Sequence, residues 1–271
     1  MNFDGKLVLV GAGKMGGAML EGWLSRGLTA GQVVVIDPSP APEITDLINR
    51  QGVTLNPVID AIDDVAVVLI AVKPQAIGEV LPTLAPLAKQ KPLFISVAAG
   101  KTLATFEAAF GDDKAIIRAM PNTPAAVGRG ITVLCPNQNV THAQLALGED
   151  LLSAVGEVDH ITEESLMDAV TAVSGSGPAY VFFLAECLSA AGIKAGLPEG
   201  LATKLARETV AGAGELMRVS GLPAAVLREN VTSAGGTTAA ALAVLMSADG
   251  LRPIMQSAVA AATRRSRELA V

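Results

Sequence analysis

The sequence predicts an α/β Rossmann-like N-terminal domain with a mainly parallel sheet over residues 1–160, followed by an all-α domain over residues 161–271. Two textures carry that expectation. Up to about His160, short β-rich runs alternate with helical stretches, the pattern of a parallel sheet with helices on both faces. From Ile161 onward the β-rich runs stop and long Ala- and Leu-rich segments take over. A chain of 271 residues is long enough for two modest domains, each with its own core.

The strand candidates are, in order, 6–10, 33–37, 65–72, 93–97, 115–118, 131–135 and 157–161. The run Val-Ala-Val-Val-Leu-Ile-Ala-Val at 65–72 lacks polar alternation, as a central strand covered on both sides should. In the second half, helices are expected at 164–172, 178–195, 198–219, 223–229, 237–248 and 253–269. Gly177-Pro178 opens one of them, while Gly196-Leu197-Pro198 and Gly221-Leu222-Pro223 each end one helix and start the next.

Composition narrows the function classes. Hydrophobic residues make up 51% of the chain but aromatics only 3%, so the core must be built from Ala, Val and Leu, which favours closely packed helices. A net charge of −6 argues against a nucleic-acid partner, which needs a concentrated basic surface. The one basic cluster, Arg264, Arg265 and Arg267, reads as a solvated helix face. Cys135 and Cys187 form no CxxC pair, and His142 and His160 are isolated; reduced thiols, a cytoplasmic protein and no metal site are expected. A strand begins within a few residues of Met1, which leaves no room for a signal peptide. The longest strongly apolar run, 65–72, is far short of the roughly 20 residues that span a bilayer, so no membrane is expected.

Gly11, Gly13 and Gly16 stand in GxGxxG spacing directly after a strand and at the start of a helix. Gly11 suits a tight turn, Gly13 lets backbone approach a pyrophosphate, and Gly16 lets helix pack on strand; Ala12, Lys14 and Met15 complete the loop. An ordinary strand-to-helix turn has the same look, but this position favours dinucleotide binding. Asp37 ends the second strand, where an acid accepts hydrogen bonds from an adenosine ribose and repels a 2′-phosphate. Pro38 and Ser39 follow, and a serine hydroxyl with loop amides can hold a phosphate, so NADPH or NADH remains open, leaning to dual use. Three further segments fall where strand ends should form the ligand crevice: Ala71-Val72-Lys73-Pro74, Ala98-Ala99-Gly100 and Met120-Pro121-Asn122-Thr123. Singly, each reads equally well as a plain loop; together, on one sheet edge, they point to the cofactor.

Two stretches of the helical half stand out. Val173 to Tyr180, with Ser174 and Ser176, reads either as a flexible helix start or as a wall of the substrate pocket. Residues 230–242 carry four hydroxyls and the pair Gly235-Gly236, but no acid, base, thiol or imidazole. Each glycine inside a helix costs about 1 kcal/mol relative to alanine, so the pair marks a turn.

The motifs GAGKMG, AVKPQ, SVAAG, RAMPNTPAAVGRG, AVSGSGPAY and NVTSAGGTTAAAL, spread from residue 11 to 242, resemble those of the pyrroline-5-carboxylate reductase family. The resemblance implies reduction of 1-pyrroline-5-carboxylate to L-proline by NADPH or NADH, the last step of proline synthesis. It also implies a helical domain that forms a homodimer by interlocking helices, with such dimers able to assemble by fives into decamers. Within the family pattern, Thr238 bonds the ring nitrogen as proton donor or relay, and Asn230 approaches the nicotinamide from the partner subunit. Lys14 stands where Asn or Gln is common, and Ala234 where proline is frequent.

Reducing a cyclic imine needs hydride on carbon and a proton on nitrogen, and the cofactor carries the difficult step. Backbone amides from Ser233 through Gly235, Gly236 and Thr237, at a turn leading into a helix, would make a nest for the substrate carboxylate. Two rival readings exist. A β-hydroxyacid dehydrogenase or imine reductase shares the layout, with Lys194 or Lys204 as its candidate lysine. A non-catalytic dinucleotide-binding dimer would bind cofactor without turnover.

Overall fold

A computed structural model describes residues 3–269, which form two compact units: 3–175 together with 263–269, and 176–262. The first unit contains the strands β1 (Lys6–Val10), β2 (Val33–Ile36), β3 (Thr54–Leu55), β4 (Val65–Ile70), β5 (Leu93–Ser96), β6 (Ile116–Met120), β7 (Gly130–Pro136) and β8 (Gly156–His160). Its helices are α1 (Lys14–Ser25), α2 (Pro42–Gln51), α3 (Ile77–Ala88), α4 (Leu103–Phe110), α5 (His142–Leu152) and the short α6 (Met167–Val170). All seven expected strands are present. The additional one, β3, is two residues long and too short to show alternation.

One sheet holds all eight strands in the order β3-β2-β1-β4-β5-β6-β7-β8. Strands β1 to β6 pair in parallel, β7 runs antiparallel to β6, and β8 runs parallel to β7. The reversal has a local cause. Only residues 121–129 join β6 to β7, fewer than the dozen or so that a parallel crossover needs.

Both faces of the sheet are covered. From β1, Leu7 and Leu9 pack with Met19, Leu20, Trp23 and Leu151 on one side, while Val8 and Val10 pack with Ile77, Leu84 and Phe106 on the other. Trp23 of α1 is fully buried, and its Nε1 donates to the carbonyl of Leu151 in α5 at 2.8 Å, fastening one helix to the next.

The contact boundary falls at Gly175, beyond the change of texture at residue 160. Glu164 explains the difference: its Oε1 accepts from Arg118 Nη1 and from the Leu103 amide, each at 2.8 Å, which holds the segment after residue 161 onto the sheet unit. A π-helical turn, Thr171–Gly175, then follows α6. Residues 263–269 also belong to this unit, where Ser266 Oγ donates to Asp168 Oδ1 at 2.7 Å.

The second unit is helical: α7 (Gly177–Lys194), α8 (Glu199–Ser220), α9 (Ala224–Asn230), α10 (Thr237–Leu245) and the first part of α11 (Leu251–Leu269). Small residues let α7 and α8 approach closely; a Cβ on Gly192 would lie 3.2 Å from that of Ala202. Among the described residues 176–262, only Ala202 and Ala206 are buried. By length and composition the helical stretch Glu164–Lys194, with an 18-residue window of mean hydropathy 1.3, is also long and apolar enough to cross a membrane, a stretch that the expectation drawn from apolar runs did not include. A scan for apolar runs misses it because small and polar residues interrupt the sequence.

Replacing Trp23 by Phe deletes the donor to the Leu151 carbonyl but keeps an aromatic ring. The expected loss is about 1–3 kcal/mol of unfolding free energy, measured by urea denaturation followed by circular dichroism.

Candidate active site

The carboxyl ends of the parallel strands β1, β2, β4, β5 and β6 lie along one edge of the sheet, where ligands of doubly wound folds bind. The glycine turn begins it. Gly11 has φ +90°, a conformation L side chains rarely adopt, and a Cβ there would lie 2.9 Å from the Ala71 backbone. A Cβ on Gly16 would fall 2.1 Å from the Gly11 carbonyl oxygen, so α1 starts directly against the strand end. Gly13 has open space around its Cβ position, and it and Lys14 are exposed, whereas Ala12 is buried and Met15 packs against the core. The first amides of α1 lack intrahelical acceptors, like those of any helix, the arrangement that attracts phosphate to a helix N-terminus.

Asp37 sits next to this turn. Its Oδ2 accepts from the Ala12 amide at 2.6 Å and its Oδ1 from the Ser39 amide at 2.8 Å, so the carboxylate is held in place before any ribose arrives. Pro38 and Ser39 are exposed beside it. Sequence reasoning missed Asn56, which has φ +49° and clasps the end of β2: its Oδ1 accepts from Asp37 N at 2.9 Å and its Nδ2 donates to Asp37 O at 2.7 Å. The Asn56-Pro57 dipeptide was the available signal, as a turn marker.

The three other predicted segments follow β4, β5 and β6 in turn, on the same edge. Ala71 and Val72 are partly buried, Lys73 is exposed, and Pro74 opens a short 3-10 turn. Ala98 is buried, leaving Ala99 and Gly100 to present surface. After β6 come Met120, partly buried, and Pro121, buried; Thr123 is exposed. Asn122 bridges two segments: its Oδ1 accepts from Ile131 N at 3.0 Å and its Nδ2 donates to Ser174 O at 3.3 Å. Its side-chain amide is therefore a staple, and its backbone carbonyl accepts from Ala125 N at 3.1 Å. Ser174 lies in the π-helical turn.

Ser176 and the Gly-Gly stretch belong to the second unit. Ser176 stands at the N-cap position of α7 without a side-chain capping bond, and Asn230 is exposed at the end of α9. The turn from Ser233 closes with Gly236 N donating to Ser233 O at 3.1 Å; Gly235 sits at φ +68°, and α10 begins at Thr237 with Gly236 as its N-cap. No side chain caps this nine-residue helix, and its first intrahelical bond runs from Ala240 N to Gly236 O, so the amides of Thr237, Thr238 and Ala239 lack intrahelical acceptors while that of Gly236 is held by Ser233 O. Thr238 is half-buried within that first turn, and Ser233 and Thr237 are exposed. Among the described residues, no group of three or more His, Cys, Asp or Glu side chains is placed to hold a metal ion.

A classical 3-2-1-4-5-6 sheet order, a glycine turn opening onto a helix N-terminus and an acid fixed at the end of β2 define a nicotinamide-dinucleotide oxidoreductase. Residues 6–100 match the family model described as NADP oxidoreductase coenzyme F420-dependent, and residues 164–269 match the one described as pyrroline-5-carboxylate reductase dimerisation. The chain is 42% identical to the pyrroline-5-carboxylate reductase of Synechocystis sp., over 97% of this chain and 98% of that one. The structure of a pyrroline-5-carboxylate reductase from Coxiella burnetii superposes with a TM-score of 0.91 at 34% identity, covering 98% of this chain and 99% of that one. The Plasmodium falciparum pyrroline carboxylate reductase, solved with NADP bound, gives 0.80 at 30% identity and covers 98% of each chain. The chain belongs to the pyrroline-5-carboxylate reductase family. It is an NAD(P)H-dependent oxidoreductase, and its reaction is the reduction of 1-pyrroline-5-carboxylate to proline.

Gly16→Ala forces the start of α1 away from the Gly11 carbonyl. It is expected to weaken NADH or NADPH binding by roughly tenfold or more, as read from a nicotinamide fluorescence titration.

Proposed function

We propose that the turn 233–237 holds the carboxylate of 1-pyrroline-5-carboxylate and that Thr238 bonds its ring nitrogen. The observation that carries this reading is the uncapped start of α10, whose amides without intrahelical acceptors suit an anion better than any side chain in the stretch does. A reduced nicotinamide, when bound, supplies the hydride that saturates the imine carbon. The residues of the chain then have three tasks: to fix the carboxylate, to keep the imine carbon toward the cofactor, and to see the nitrogen protonated. An imine nitrogen is basic enough to arrive protonated or to take its proton from the Thr238 hydroxyl or water, so a titratable acid is not required. That agrees with a stretch that has no acid, base, thiol or imidazole.

For the cofactor, the reading is use of both NADH and NADPH. Asp37 faces the ribose end with its charge tempered by two amide donors, and Ser39 lies exposed beside it as a partner for a 2′-phosphate. We read Gly11 through Gly16, the segments after β4, β5 and β6, and Asn230 of a partner subunit as the rest of the cofactor site.

The assembly in this reading is a homodimer through the helical unit, with decamers of five dimers as a further step, in the cytoplasm. A layer with two buried alanines and exposed Phe182, Phe183, Val219 and Val244 has no core of its own. Apolar surface on that scale requires a covering partner. A second copy of α7 to α11 provides one, and it accounts for the apolar stretch 164–194 without a bilayer.

The test is loss of nicotinamide absorbance when 1-pyrroline-5-carboxylate is added, run with each cofactor. Turnover with both is expected, and cofactor binding without turnover would instead indicate a binding protein. Thr238→Ala should lower kcat by roughly tenfold to a hundredfold while cofactor affinity stays the same; unchanged kcat would remove Thr238 from the reaction. Asp37→Ser should raise the ratio of kcat/KM for NADPH to that for NADH by about tenfold, since it removes a negative charge beside the 2′ position.

A further inference from the structure

Residues 164–175 are tied down along their length. Glu164 accepts from Arg118 and the Leu103 amide, Asp168 accepts from Ser266, and Thr171 Oγ1 donates to the Met167 carbonyl at 2.8 Å. At the far end, Asn122 holds the Ser174 carbonyl, and Gly175 lies so close to Met120 that a Cβ would sit 2.4 Å from its Cε. One polar group is left over. The hydroxyl of Ser174 is buried and has no hydrogen-bond partner. Leaving a buried hydroxyl unpaired is costly, and native proteins rarely do so without a reason such as ligand binding. The residue also sits in a π-helical turn, a form concentrated at functional sites.

The surroundings indicate what completes it. Asn122 fastens Ser174 to the carboxyl end of β6. In a doubly wound sheet the β1–β3 half takes the adenosine side of the dinucleotide, here marked by Asp37, and the β4–β6 half takes the nicotinamide side. The packing neighbour Met120 brings no charge, and both polar atoms of the Asn122 side chain are already committed. A carboxylate there would meet a single donor and lose its hydration, whereas a neutral carbonyl oxygen needs no more than one.

We propose that Ser174 donates its hydroxyl proton to the carboxamide oxygen of the bound nicotinamide, fixing the rotation of the ring and so the face it offers to the imine. This moves Ser174 from the substrate wall to the cofactor site, and it rests on the dinucleotide reading above. The hydroxyl is thereby satisfied only in the loaded protein.

The experiment compares Ser174→Ala with the wild-type full chain. NADH affinity is read by nicotinamide fluorescence, and that of ADP-ribose, which has no nicotinamide, by competition. The variant should bind NADH roughly fivefold to tenfold more weakly and ADP-ribose equally well. Its thermal midpoint without ligand should equal or exceed that of the wild type, because an unpaired hydroxyl has been removed. Unchanged affinity for both ligands, an equal fall in both, a lowered midpoint, or a rise only in KM for the imine would each overturn the assignment. Failure of the wild-type protein to reduce 1-pyrroline-5-carboxylate would overturn the proposed function and leave this binding comparison intact.

Discussion

The close approach of Gly16 to the carbonyl oxygen of Gly11 decides where the cofactor end of the protein can be. With a Cβ position 2.1 Å from that oxygen, only glycine lets α1 start against the end of β1. The approach leaves Gly13 in open space and turns the Ala12 amide to the Asp37 carboxylate. Asp37 in turn is clasped by Asn56. One backbone contact thus sets both the exposed start of α1 and the place of the Asp37 carboxylate, which meets the Ala12 amide across 25 residues of chain.

The helical unit obeys a different constraint. Its Ala-rich helices pack closely, as α7 and α8 do around Ala202, but they bury almost nothing else within one chain. The low aromatic content fits helices meant to interlock with another copy rather than to enclose a core. Chemistry without a titratable side chain fits as well. The turn 233–237 offers only backbone groups and hydroxyls, and no side chain caps the start of α10 that follows it.

Periodicity made most of the secondary structure legible. The runs at 6–10, 65–72 and 93–97 became β1, β4 and β5 to within two residues, since a covered strand must be apolar on both faces. The glycine spacing was readable as a tight turn because the φ of +90° at Gly11 and the approach of Gly16 to its carbonyl are matters of local backbone geometry. Asn56 was not, because its role depends on a strand end 19 residues away. The same holds for Asn122, whose loop looked like a cofactor contact while its side chain is a staple between Ile131 and Ser174. Where the contacts divide was not legible for this reason too: texture changes at residue 160, but Glu164 reaches back 46 residues to Arg118 and keeps the chain up to Gly175 with the sheet unit.

By itself, then, the sequence determined most of the elements, the glycine turn and the hydroxyl-bearing Gly-Gly turn, which follow from interactions among residues near each other in the chain, and the parallel half of the sheet through the alternation of strands and helices. The tertiary structure decided the antiparallel return of β7, the attachment of Ser266 to Asp168 across 98 residues, and the isolation of the Ser174 hydroxyl. Those depend on which distant groups meet and which are left without a partner, and a hydrogen-bond inventory closes only once the chain is folded.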